Sequence, residues 1–91
     1  MERLKPDLNV LVRILNLLRV AGPLKKTHLC HKANMSYTES QRYLRWMNAK
    51  GLTELMEIEG MKKVCLTSSG LQSLEALELW LSSIEGGADP P

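Results

Sequence analysis

The stretch from Ser36 to Gly51 constrains the fold most, because both ends of a helix are marked in it. Ser36 is a favoured N-cap residue, since its hydroxyl can accept a hydrogen bond from an amide of the first turn. Glu39 follows three residues later, which completes the pattern of a capping box. Gly51 stands where a left-handed residue ends a helix. The sequence therefore predicts one well-delimited helix over residues 36–50.

This helix has two chemically different faces. Its buried face is predicted from apolar and small residues at helical spacing: Ser40, Tyr43, Leu44 and Met47. The opposite face carries five polar or basic residues and no acid: Thr38, Gln41, Arg42, Arg45 and Asn48. Arginine pairs bidentately with guanine edges, and glutamine or asparagine with adenine edges. We therefore expect DNA base reading by Thr38, Gln41, Arg42 and Arg45; the alternative is an ordinary solvated helix face.

Two further helices are predicted before this one. Asp7 can cap a helix that runs to about Val20, and residues 25–33 form a second, short helix. Asn34 is a candidate for a left-handed turn residue between the second helix and the third. Two short helices joined by such a turn form a helix-turn-helix, whose second helix enters the major groove.

The hydrophobic period changes after Gly51. Residues 52–58 and 61–66 read as two strands joined by the turn Glu59-Gly60, and a last helix follows at 68–85. The fold class expected is α+β, mostly α: a winged helix-turn-helix of three helices and a two-stranded wing, with a C-terminal dimerisation helix. The corresponding segments are a DNA-binding domain at 1–67, the dimerisation helix at 68–85 and a flexible tail at 86–91.

Charge is unevenly distributed along the chain. All 12 lysine and arginine residues lie at or before Lys63, whereas residues 64–91 contain only acidic charges. A basic body of this kind favours an anionic partner. The residues expected to contact DNA phosphates are Lys25, Lys26, Lys32, Ser36, Tyr37, Lys62 and Lys63. Glu57 and Glu59 make the wing a poorer candidate for phosphate contact than the helix.

The last helix carries more apolar surface than a small domain needs for its own core. Five residues recur along it and are the predicted homodimer interface: Leu74, Leu77, Trp80, Leu81 and Ile84. Exposed apolar patches of this kind usually mark an interface. The alternative is that the helix folds back and buries the whole stripe within one chain.

Other functional classes have little support in the sequence. No apolar run is long enough for a membrane helix, and the N-terminus does not resemble a signal peptide, so we expect a cytoplasmic protein. His28, Cys30, His31 and Cys65 lack the spacing of a closed zinc site. No nucleophile, paired carboxylate or phosphate-binding loop indicates catalysis. We therefore expect no enzyme, no metal, no cofactor and no small-molecule ligand.

Five short motifs occur in an order that resembles a known group of proteins. They are Gly22-Pro-Leu-Lys-Lys-Thr27, Lys32-Ala-Asn-Met-Ser-Tyr37, Tyr43-Leu44, Lys50-Gly-Leu52 and Leu66-Thr-Ser-Ser-Gly70. Together they look like small archaeal winged helix-turn-helix regulators, including the ArnR-like regulators and winged-helix DNA-binding proteins that pair through a C-terminal helix. The resemblance covers roughly residues 8–77. It implies a transcriptional regulator that binds double-stranded DNA through helix 36–50 and pairs through the helix after Gly70.

The sequence is compatible with two functional hypotheses. The first is a dimeric, DNA-binding transcriptional regulator that reads the major groove with helix 36–50. The second is a winged helix that serves as a protein–protein interaction module without nucleic acid, because the same fold supports both functions.

Overall fold

The chain order is three helices, a two-stranded hairpin and a fourth helix, as seen in a computed structural model that describes residues 4–85. The helices are α1 (Leu8–Ala21), α2 (Lys26–Lys32), α3 (Tyr37–Ala49) and α4 (Ser68–Glu85), and the strands are β1 (Thr53–Ile58) and β2 (Met61–Leu66). The α+β, mostly helical winged helix-turn-helix architecture is therefore confirmed. The tail predicted at 86–91 lies outside the described residues.

Local signals in the sequence account for most of the helix boundaries. The Asp7 carboxylate accepts from the Asn9 amide at 2.8 Å and so caps α1. The Ser36 hydroxyl accepts from the Glu39 amide at 3.1 Å, which is the predicted N-cap of α3. Asn34 has φ 58° and Gly51 has φ 76°, as expected of left-handed residues after α2 and α3. Each cap satisfies an amide or carbonyl that the helix leaves unpaired.

The wing is an antiparallel hairpin with its turn at the predicted Glu59-Gly60 pair. Glu59 and Gly60 turn the chain with φ 53° and 78°, and Ile58 faces Met61 directly across the turn. Leu24, between α1 and α2, exchanges two backbone hydrogen bonds with Val64 of β2. This isolated bridge ties the helix-turn-helix to the wing.

The core lies where α1 crosses the other elements. Its fully buried members come from α1, α2, α3, β2 and α4: Ile14, Leu15, Leu18, Leu29, Met47, Val64 and Leu74. The first turn of α4 packs closely on the end of the α3–β1 connection, where a Cβ on Gly70 would come 2.0 Å from the Leu52 carbonyl oxygen. Only glycine fits there, because real Cβ atoms do not approach backbone atoms so closely. This contact fixes the start of α4 against the domain.

Candidate nucleic-acid interface

One face of α3 is anchored in the core. Tyr43, Leu44 and Met47 are buried, and the Ser40 hydroxyl, which is also buried, donates to the Tyr37 carbonyl at 2.9 Å. The Tyr43 hydroxyl accepts from the Asp7 backbone amide at 3.0 Å, so the start of α1 is tied to the middle of α3. These contacts hold the helix rigidly, and its opposite side is presented to solvent.

The outer face of α3 is formed by Thr38, Arg42 and Arg45. Thr38 and Arg45 are exposed, and Arg42 is half-buried and engaged in polar contacts of its own. A helix that presents such side chains from a rigid base has the geometry required to enter a major groove.

Gln41 differs from its prediction as an exposed base-reading residue. Its side chain is half-buried, and its amide nitrogen is buried without a hydrogen-bond partner among the described residues. The side chain extends from the edge of the buried face rather than from the centre of the outer face. Helical spacing alone could not distinguish these positions, because residues at the border of a helix face are decided by the neighbouring elements.

The outer face has a different neighbour on each flank. On one flank, the Thr53 hydroxyl at the start of β1 donates to the Asn48 side-chain oxygen. On the other flank, Leu4 lines a groove together with Arg42, Arg45 and Trp46. The structure places Trp46 beside the two arginines. The spacing of Trp46 and Lys50, one helical turn apart, is the sequence signal that could have identified this cluster.

The predicted phosphate-contacting residues fall into two groups. Around α2 and the turn into α3 lie Lys25, Lys26, Lys32, Ser36 and Tyr37, of which Lys32, Ser36 and Tyr37 are exposed and the other two half-buried. Arg13 of α1 donates to the Ala33 carbonyl at 3.0 Å, and this bond braces the turn that carries them. The second group is on the wing and consists of Lys62 and Lys63.

The wing has a mixed surface. Glu57 lies directly opposite Lys62, and Met56 lies opposite Lys63. Leu55, Met56 and Met61 are all more than two-fifths exposed. Cross-strand pairing of unlike charges partly neutralises Lys62, and apolar side chains occupy much of the remaining surface. The wing therefore presents much less positive charge than the outer face of α3.

The C-terminal half of α4 carries most of the predicted dimer residues. Trp80 and Ile84 are each 51% exposed, and Leu77 and Leu81 are half-buried. Leu74, expected in the same interface, is instead fully buried in the core of its own chain. Leu74 lies in the first half of α4, where the helix packs against the domain, so it is already buried in the single chain. Glu78, between the two parts, pairs with Arg19 of α1 at 3.0 Å.

The cysteine and histidine residues form no cluster in residues 4–85 that could hold a metal ion. His28 and His31 are exposed, and the Cys30 thiol donates to the Thr27 carbonyl within its own helix. Burial raises the pKa of the Cys65 thiol, and the facing Glu54 carboxylate raises it further. Over the same described range, no helix is long and apolar enough to cross a membrane.

Comparison with known structures places the fold among winged-helix proteins. The chain superimposes on F93 from STIV, a winged-helix DNA-binding protein, with TM-score 0.78 and 19% identity, covering 90% of this chain and 97% of that one. A MarR family protein from Bacillus stearothermophilus gives TM-score 0.72 and 17% identity over 91% of this chain and 61% of that one. MepR from S. aureus, solved bound to ethidium bromide, gives TM-score 0.73 and 18% identity, covering 97% of this chain and 66% of that one.

The chain therefore spans about three-fifths to two-thirds of the length of the B. stearothermophilus and S. aureus structures, and nearly the full length of F93. No curated protein matches it in sequence. A family model described as "Winged helix-turn-helix" matches residues 6–84, from the cap of α1 almost to the end of α4. With that match and the fold in agreement, the chain belongs to the winged helix-turn-helix family.

Proposed function

We propose that this chain is a homodimeric transcriptional regulator that binds double-stranded DNA and reads the major groove with α3. The observation that carries the proposal is the outer face of α3, where Thr38 and Arg45 project into solvent from a helix whose other side is locked in the core. Arg45 supplies the bidentate donor that guanine recognition requires. The similarity to F93, described as a DNA-binding protein, supports the same function. The protein acts by binding and not by catalysis.

Base reading is assigned to Thr38, Arg42 and Arg45, with Gln41 in a supporting position at the edge of the groove. The burial of the Gln41 amide nitrogen means that its side chain must rotate before it can reach a base. Lys25, Lys26, Lys32, Ser36 and Tyr37 then approach the phosphate backbone around the turn into α3, and Lys62 and Lys63 approach it from the wing. Contacts of this second kind position the protein without carrying sequence information.

Pairing is assigned to the stripe Leu77, Trp80, Leu81 and Ile84 on α4. Trp80 and Ile84 are one turn apart and half-exposed, so each monomer leaves a continuous apolar strip in water. Burial of such a strip in a second copy is favourable by about 25 cal/mol for each Å² of apolar surface removed from water. Two-fold pairing also presents two α3 helices to half-sites about one helical turn of DNA apart.

Titration of a fluorescent duplex at several salt concentrations tests the DNA-binding function. Neutralisation of phosphates predicts a linear fall of log affinity with log salt concentration, with a slope of about −0.9 for each contact. Binding that is weak and insensitive to salt would contradict the proposal.

Sedimentation equilibrium at micromolar concentration tests the pairing. We expect the mass of two chains, and the mass of one chain for the double variant Trp80→Ala, Ile84→Ala. Leu79→Ala is the matched control, because Leu79 is 74% exposed but lies on a different side of α4 from the stripe. A single-chain mass for the unmodified protein would refute the dimer. A two-chain mass for the double variant would show that the interface lies outside the α4 stripe.

The wing supports a second candidate function, a protein–protein interaction module. Met56 and Met61 are exposed on one face of the hairpin, and Leu55 is exposed with Glu57 on the other. Apolar and acidic side chains of this kind suit a protein partner rather than DNA. The salt titration discriminates between the two functions, because a module that does not use nucleic acid has no phosphate-dependent slope.

A further inference from the structure

A groove of about 450 Å³ runs along the C-terminal half of α3, on the flank away from the wing. One wall is the helix itself, through Arg42, Arg45 and Trp46, and the other is the segment that precedes α1, through Leu4. This segment is held in place because the Asp7 amide donates to the Tyr43 hydroxyl. The groove continues the outer face of α3, with which it shares Arg42 and Arg45.

The charged side chains among the described residues that line the groove are both basic. Lys50, at the end of α3, places its ammonium group 5.6 Å from the centre of the Trp46 ring, within the range of a cation–π interaction. Arg45 and Arg42, the latter with polar contacts of its own, line the groove together with Trp46, and none of the described lining residues is acidic. The Asp7 carboxylate, at the end of the other wall, accepts a hydrogen bond from the Asn9 amide as the N-cap of α1. The Glu39 carboxylate could repel an anion, but it lies in the first turn of α3, about one turn before Arg42. Its repulsion therefore acts mainly at the N-terminal part of the helix.

The geometry points to this groove as a seat for the DNA phosphate backbone that flanks the major groove, with Trp46 and Lys50 as additional contacts. This inference rests on the proposed DNA-binding function and extends it from the outer face of α3 to its flank. Guanidinium groups form charge-assisted, often bidentate hydrogen bonds with phosphate oxygens. The half-exposed indole offers a flat apolar surface for the deoxyribose between two phosphates. The Lys50 ammonium group then contacts the next phosphate along the strand.

Trp46 gives a direct optical test of its own position. The chain has two tryptophans, and Trp80 lies on α4, outside the residues that line the groove. We expect duplex DNA to quench the tryptophan emission of the unmodified protein and to leave the emission of Trp46→Phe nearly unchanged. Circular dichroism melting of both proteins checks that the substitution leaves the fold intact. Quenching that persists fully in Trp46→Phe would overturn the inference.

Lys50 gives an independent test through the salt dependence of binding. Loss of one phosphate contact in Lys50→Ala should make the log–log slope shallower by about 0.9, and Lys50→Arg should restore it. Glu75→Gln on α4 is the matched control, since it also changes the charge by one but lies outside the groove, and its slope should equal that of the unmodified protein. An unchanged slope in Lys50→Ala would overturn the inference.

These outcomes are distinguishable from failure of the proposed function itself. If the unmodified protein does not bind duplex DNA, both proposals fail. If it binds with a steep salt dependence while Trp46→Phe and Lys50→Ala behave like the unmodified protein, DNA binding stands and the groove is excluded from the interface.

Discussion

Helix α3 and the wing lie side by side and are joined by a hydrogen bond between Asn48 and Thr53, yet they differ in chemistry. The outer face of α3 combines a rigid base with arginine side chains, whereas the wing pairs Lys62 with Glu57 and exposes Met56 and Met61. Both elements are solvent-exposed, so exposure alone does not make a DNA-binding surface. What distinguishes α3 is an exposed Arg45, with Arg42 beside it, on a helix whose other side is buried in the core.

The largest difference expected between the two regions is in stability. Met47, on the buried side of α3, is 0% exposed, whereas Met61 of the wing is 43% exposed. Met47→Ala should lower the free energy of unfolding by about 2–5 kcal/mol, because it removes buried apolar contacts and leaves a cavity. Met61→Ala should change it by less than about 0.5 kcal/mol. Urea denaturation of both variants measures this, and equal losses would mean that the wing is as tightly packed as α3.

A smaller effect is expected where the two regions meet. Thr53 is 2% exposed, and its hydroxyl donates to the side chain of Asn48. Thr53→Val keeps the shape of the side chain and removes the donor, so it should cost about 1 kcal/mol of unfolding free energy. Thr38→Val, on the exposed outer face of α3, is the control and should be nearly neutral in stability. Thermal melting followed by circular dichroism compares them; equal melting temperatures would show that the hydrogen bond does not couple helix and wing.

The smallest effect is expected at the tip of the wing. Glu59 adopts φ 53° beside Gly60, a turn in which asparagine is favoured over glutamate. Glu59→Asn should raise the free energy of unfolding by a few tenths of a kcal/mol, and it also removes one negative charge from the wing. Glu57→Gln is the control, because it removes a charge from the wing without changing the turn. Only Glu59→Asn should therefore gain stability. A loss of stability in Glu59→Asn would contradict the assignment of the turn.

Much of this fold is predictable from the sequence because local signals and tertiary contacts agree. Ser36, Asn34 and Gly51 mark helix ends through the backbone geometry that each favours, and the structure uses all three in that way. The change from helical to alternating periodicity after Gly51 likewise located the hairpin. Such signals act over a few residues, so no knowledge of distant contacts is needed to read them.

The details of the candidate site were less predictable, because they depend on contacts between distant parts of the chain. Leu74 and Trp80 belong to the same apolar pattern, and only the packing of the first half of α4 on the domain separates core from surface. Gln41 lies at a face boundary where neighbouring elements decide its burial. The groove beside Trp46 requires Leu4, 42 positions earlier in the chain, and no periodicity within α3 reveals that neighbour.

The central claim is that α3 reads sequence and the wing does not, and a ratio of affinities tests it most directly. A preferred duplex, selected in vitro from a random library, and a scrambled duplex are titrated with the unmodified protein, Arg45→Ala and Lys62→Ala. Arg45→Ala should lose about 1–3 kcal/mol of binding free energy on the preferred duplex and much less on the scrambled one, so its affinity ratio falls. Lys62→Ala should weaken both duplexes equally and leave the ratio unchanged. A ratio that falls in Lys62→Ala and is preserved in Arg45→Ala would contradict the account.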